Sequence, residues 1–167
     1  MTSKQEILAQ WLRDVHALEE QAKTMLEAQS SRIANYPELK KRIDRHLEET
    51  NRQEERIRAC LDRHGGTSAM KDAGGKLMAT MQGLGGAIMG DEVVTGAMAS
   101  FAFESFEIAS YRSLIAAADA CGDTETRLVA EEILKEEEAM AAWLEDHLPA
   151  IVQQYLERAE QGELAKR

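Results

Sequence analysis

Apolar residues recur at three- and four-residue spacing over most of the chain, the mark of amphipathic helices rather than strands. Leu8, Leu12, Val15, Ala22 and Leu26 form one such stripe and predict a first helix from about Lys4 to Ser30. Pro37 suits a first helical turn, and the stripe Ile43, Leu47, Thr50, Ile57, Leu61 carries a second helix to about Arg63. His64-Gly65-Gly66 then stops it. A third helix is predicted from near Asp91 to Gly122, and Asp123 is placed to cap a fourth that reaches about His147. Pro149 opens a predicted short fifth helix over about 149–161, ended by Gly162.

The stretch from about 65 to 90 breaks this pattern. It holds most of the glycines, with room for only a short helix over Lys76–Gln82, and reads as a crossover packed along the bundle. Its Met- and Gly-rich apolar part is short and has no basic face, which disfavours a membrane-active patch. Two long helices, a long connection and two more long helices make the chain order of a ferritin-like four-helix bundle. The fold expected is therefore all-α, a single domain over residues 1–167 with a long crossover between helices 2 and 3.

Composition agrees with that reading: aromatics are only 5% of the 167 residues, and there are two prolines. A net charge of −10 excludes a nucleic-acid backbone or an anionic membrane as partner and suits cations or a basic protein. No apolar run approaches the roughly 18 residues a membrane helix needs, and the first residues carry no signal or lipidation motif. Cys60 and Cys121 lie in helical patterns without a CxxC, so they read as buried free thiols of a reducing compartment, the cytoplasm.

Thirty acidic residues must mostly be solvated, so the informative ones are those that interrupt an apolar stripe. Glu19 sits inside the first stripe. In the third helix Glu104 falls within Phe101, Ile108, Tyr111, Ile115, with Glu107 one turn on. Glu137 lies between Ile133 and Met140 in the fourth, and the second offers His46 and Glu49 on one flank, followed by Gln53. His16, at the edge of the first stripe, is set aside as a boundary residue. Each long helix thus carries a polar group near its middle. Burying one unpaired carboxylate costs several kcal/mol, so four helices doing so need a shared cation, a shared proton or an opposing charge. Divalent iron or manganese, which accept carboxylate oxygen and imidazole, would meet that need.

The segments HLEETNRQEERI (46–57), FESFEIASYRSL (103–114) and AEEILKEEEAMAAWL (130–144) resemble the YciF/YciE-like bacterial stress proteins, a ferritin-like family, and the resemblance covers most of the chain. A more distant likeness to bacterioferritin is carried by EILKEEEAMAAWLE (132–145). These resemblances imply carboxylate ligands at Glu19, Glu49, Glu104 and Glu137, an imidazole at His46 and a further acid at Glu107. The chain departs from the iron-binding pattern in having no ExxH. Its second helix carries the reverse order, His46-Leu47-Glu48-Glu49, and Met140 stands where the fourth helix should supply a second histidine.

Two functions stay open on these grounds. One is a stress-response protein with a dinuclear iron or manganese site that reacts with dioxygen or peroxide, Tyr111 standing nearby as a redox or hydrogen-bonding group or simply as a core aromatic with a satisfied hydroxyl. The other is a metal-poor structural or interaction protein whose inner acids share protons. Trp11 and Leu18, apolar and expected to be exposed, suggest the face of a homodimer or larger homo-oligomer.

Overall fold

The structure, a computed structural model, describes residues 2–66 and 93–165. These residues form four helices: α1 (Lys4–Arg32), α2 (Pro37–Arg63), α3 (Val93–Cys121) and α4 (Thr124–Glu160). Ser3 starts α1 with a reciprocal cap. Its hydroxyl accepts from the Glu6 amide at 3.2 Å, and its own amide donates to the Glu6 carboxylate at 2.6 Å. Pro37 opens α2, where a missing amide hydrogen costs nothing. Asp123 caps α4 by accepting from the Thr126 amide at 3.1 Å. The turn before it uses Gly122 at φ +72°, a conformation that a side chain would strain.

Short connections make α1 and α2 an antiparallel pair, and α3 and α4 another. The pairs then pack α1 on α3 and α2 on α4, the α2–α4 contact being the loosest of the four. At one end of the bundle, Leu8 and Leu12 of α1 meet Ile57 and Leu61 late in α2, Leu114 and Ala118 late in α3, and Ala130 and Ile133 early in α4. At the other end, Leu26 meets Leu39 and Ile43 early in α2, Val93 and Ala97 early in α3, and Met140 and Leu144 late in α4. Hence α1 runs parallel to α4 and α2 parallel to α3, so Arg63 and Val93 lie at opposite ends of the bundle. A chain with only short turns would have set α2 against α3 instead. Gly65 and Gly66 terminate α2 as expected; the remainder of the anticipated crossover, with its short helix at Lys76–Gln82, lies outside the described residues.

The fifth helix expected from Pro149 is not formed. α4 continues through the proline to Glu160. The reason is visible in the apolar register, which runs Met140, Leu144, Leu148, Ile151, Tyr155 at unbroken three- and four-residue steps. Leu148, Ile151 and Tyr155 pack with Tyr36 and Leu39, and that burial offsets the hydrogen bond the proline removes. Leu18, expected on a solvent-facing dimer surface, is instead buried beside Ala22 and Phe103, whereas Trp11 is 40% exposed. Cys60 is buried and Cys121 half-buried, both as free thiols. Among the described residues, no helix is long and apolar enough to cross a membrane.

Because the turns after Pro149 are held by this packing, Ile151→Ala should lower stability by about 2–4 kcal/mol in urea unfolding. A change below about 0.5 kcal/mol, the range of ordinary surface substitutions, would mean that the end of α4 is not part of the core.

Candidate metal centre

Between the two apolar ends, each helix turns a polar group inward. Glu19 from α1, His46 from α2, Glu104 and Glu107 from α3, and Glu137 from α4 are each no more than 2% exposed. The first and fourth helices do this in the phase their stripes predict. α3 is rotated relative to expectation: Phe103, Glu107 and Leu114 are buried, while Phe101, Ile108 and Ile115 are only partly so. Its apolar residues surround much of the helix, so hydrophobic period alone does not set its phase. As a result Glu107 is as deeply placed as Glu104.

His46 is the hub. Its Nε2 lies 3.2 Å from Glu104 Oε2 and 3.4 Å from Glu137 Oε2, close enough for ion pairing but without hydrogen-bond alignment. One ligand atom each from His46, Glu104 and Glu137 falls within 4.8 Å of the other two. Tyr111, fully buried, donates its hydroxyl hydrogen to Glu19 Oε1 in a short bond. Glu19 Oε2, Glu104 Oε2, both oxygens of Glu137 and His46 Nε2 are buried without a hydrogen-bond partner. Such atoms are rare, because each forfeits hydration and gains nothing in return.

Electrostatics follow from that crowding. Burial, then repulsion from Glu137, pushes Glu19 and Glu107 well above the usual carboxylate range. Glu137 is pushed up to about 8, chiefly by burial and further by Glu104. Burial opposes a charge on His46, yet Glu104, Glu137 and Glu49 together outweigh it and hold the imidazolium well above its ordinary value. Burial, aided by Glu19, also raises Tyr111.

Glu49 is placed differently. It lies at the rim of a surface cleft between α2 and α4, and its carboxylate accepts from Arg42, Arg45 and His46 Nδ1. Burial works to raise its pKa, but His46 and Arg42 prevail and bring it down to about 2. Met140 is buried among apolar side chains, in the layer next to the cluster. The structure therefore brings together Glu19, His46, Glu104, Glu107 and Glu137, and leaves Glu49 behind the imidazole.

Sequence reasoning passed over His16, which is buried and pairs through Nε2 with Glu54 Oε1 at 2.7 Å, Glu54 in turn being held by Arg58. Its partner is 38 residues away on α2, so no local spacing announces the pair. Gln53 donates to Glu136 at 2.8 Å and keeps its own buried oxygen unpartnered.

Four buried carboxylates and an imidazole form a hard, oxygen-rich donor set of the kind that could hold a divalent cation. The unpartnered oxygens of Glu19, Glu104 and Glu137 are available to such an ion.

The family model described as "Domain of unknown function (DUF892)" matches residues 3–157. Among solved structures, the protein XCC3681 of Xanthomonas campestris pv. campestris is similar at 40% identity and a TM-score of 0.78, over 95% of this chain and 99% of that one. The stress protein YciF of E. coli matches at 23% identity and a TM-score of 0.78, over 92% and 99%. YcfI of Rhodopseudomonas palustris matches at 25% identity and 0.66, over 86% and 94%.

The inner acids impose a pH dependence on the metal-free protein. A glutamate whose folded pKa rises from 4.5 to about 8 contributes stability that is present below 4.5 and lost as pH climbs through about 8. Glu19 and Glu107 act in the same direction, whereas Glu49 loses its contribution only as pH falls from 4.5 toward about 2. Chemical unfolding of the metal-free protein should therefore show stability declining between pH 4.5 and about 8, with a shallower decline in Glu137→Gln. Stability that increased across that window would contradict protonation of the buried layer.

Proposed function

The chain belongs to the DUF892 family, and on that premise we propose that it is a cytoplasmic ferritin-like stress-response protein holding two iron or manganese ions at Glu19, His46, Glu104, Glu107 and Glu137. The observation that carries this reading is the set of buried, unpartnered oxygens and nitrogen on Glu19, His46, Glu104 and Glu137, contributed at one level by all four helices. Helices running parallel in the pairs α1/α4 and α2/α3 suit a ferritin-like bundle, where a core metal site is built from side chains on facing helices. The stress role comes from the description of the E. coli protein, to which the likeness is one of fold.

Bound in this layer, such ions would supply redox chemistry toward dioxygen or peroxide. The protein's own part is positioning and exclusion. Tyr111 donates to one oxygen of Glu19 and leaves the other, buried, without a hydrogen-bond partner. The apolar layers around Ile57 and Leu114 on one side, and Leu26 and Met140 on the other, keep water from the donors and strengthen their interaction with a cation.

A second reading, a metal-poor structural or interaction protein, is favoured by Met140 in place of an imidazole and by the Tyr111–Glu19 bond, since a protonated Glu137 beside them relieves charge without metal. A homodimer or larger homo-oligomer accompanies either reading, with exposed Ile7 and Trp11 on α1 as its apolar face.

Elemental analysis after anaerobic Fe(II) or Mn(II) loading separates the two. The first reading expects about two ions per chain, lost in a His46→Ala/Glu137→Ala variant, by analogy with carboxylate-bridged bundle sites. Absence of specific metal in the folded, loaded protein would leave the second.

A further inference from the structure

Glu49 occupies a sequence position that family likeness would make a metal ligand, yet its geometry is already spent elsewhere. Oε2 lies 3.0 Å from His46 Nδ1 and 3.2 Å from Arg42 Nη1, and Oε1 is 3.0 Å from Arg45 Nε. Both oxygens are thus engaged, while the oxygens aimed at the cluster from Glu104 and Glu137 are not. Arg42 holds its end from a largely buried position, with a side chain 12% exposed, whereas Arg45 reaches across from solvent.

All four side chains come from α2, at positions 42, 45, 46 and 49. Steps of three, four and seven residues put them on one face, so the arrangement forms with the helix itself and needs no partner helix. Its consequence lies in the imidazole. An imidazole has two nitrogens, and with Nδ1 donating to Glu49 only Nε2 faces Glu104 and Glu137. A carboxylate behind a ligating histidine sets the ring's tautomer and orientation and raises its basicity as a donor. Turning Glu49 inward to ligate would give up all three of its contacts, expose the largely buried Arg42 without its counter-charge and free the His46 ring.

We propose that Glu49 is a positioning residue that acts on the candidate metal site through His46, rather than a ligand of it. The proposal rests on the metal-binding reading above, and the choice of measurements separates the two. Co(II), whose visible bands report ligand set and number, would be titrated into the wild type, Glu49→Ala, Glu49→Gln and Glu137→Gln. Glu49→Ala should keep the wild-type stoichiometry and band pattern and bind about 10–100-fold more weakly, the usual effect of removing an outer-shell partner. Glu49→Gln, which retains an acceptor oxygen, should recover part of that loss. Glu137→Gln should change the bands or lose an ion.

Loss of an ion in Glu49→Ala that glutamine does not restore would make Glu49 a ligand and overturn the proposal, as would an affinity that no Glu49 variant alters. The metal-free protein provides a second readout. In nitrogen-resolved NMR, the His46 Nδ1–H should be protected from exchange in the wild type and Glu49→Gln, and unprotected in Glu49→Ala. Protection that persists in Glu49→Ala would also overturn it. If the wild type binds no Co(II), the metal-binding reading falls, and the NMR comparison still decides the role of Glu49.

Discussion

Four carboxylates held within a dry layer, with one imidazole among them, are the condition to which the rest of the bundle answers. Like charges this close repel strongly where water cannot screen them, and burial alone disfavours each. Glu19, Glu107 and Glu137 respond by holding their protons far above the ordinary range. Such a layer survives only if the remainder of the fold is stable enough to carry it. The apolar layers at both ends, from Leu8 through Ile133 and from Leu26 through Ile151, supply that stability.

Local rules are broken most densely at this level and are largely obeyed elsewhere. α1 and α4 have sound caps, glycines sit where left-handed turns are needed, and surface charges pair along helices. The violations, unpartnered buried oxygens and a histidine pressed against acids, are concentrated where the four helices face one another. Concentration of unfavourable features at one place is what a functional site looks like in a chain whose other choices agree with its fold. The same bundle serves many purposes, so the functional argument rests on these side chains and not on the architecture.

Legibility in the sequence varied with the source of each signal. Glu19 and Glu137 interrupt clean stripes, so both their inward direction and their level could be read from spacing. Spacing puts His46 and Glu49 on one flank of α2; the structure gives them different parts, the imidazole facing inward and the carboxylate behind it, turned back onto Arg42 and Arg45. α3 was less legible, because Phe101, Phe103, Phe106 and Ile108 surround the helix and several phases satisfy the same hydrophobic count. Local propensity favours a helix start at Pro149. Ile151 and Tyr155 override that preference by continuing the stripe into a packed end.

The sequence by itself determined the helices, most of their ends, the acidic character of the interior and the family, because caps, glycines, prolines and apolar periods act over a few residues. Tertiary structure decided which helices run parallel, how far α4 extends, and which acids share a site. It also decided that Tyr111 meets Glu19 from 92 positions away and that His16 meets Glu54. Those outcomes depend on the rotation of each helix about its axis and on which atoms lose water together. Neither is written in any local stretch of chain, since both are set by packing between segments distant in sequence.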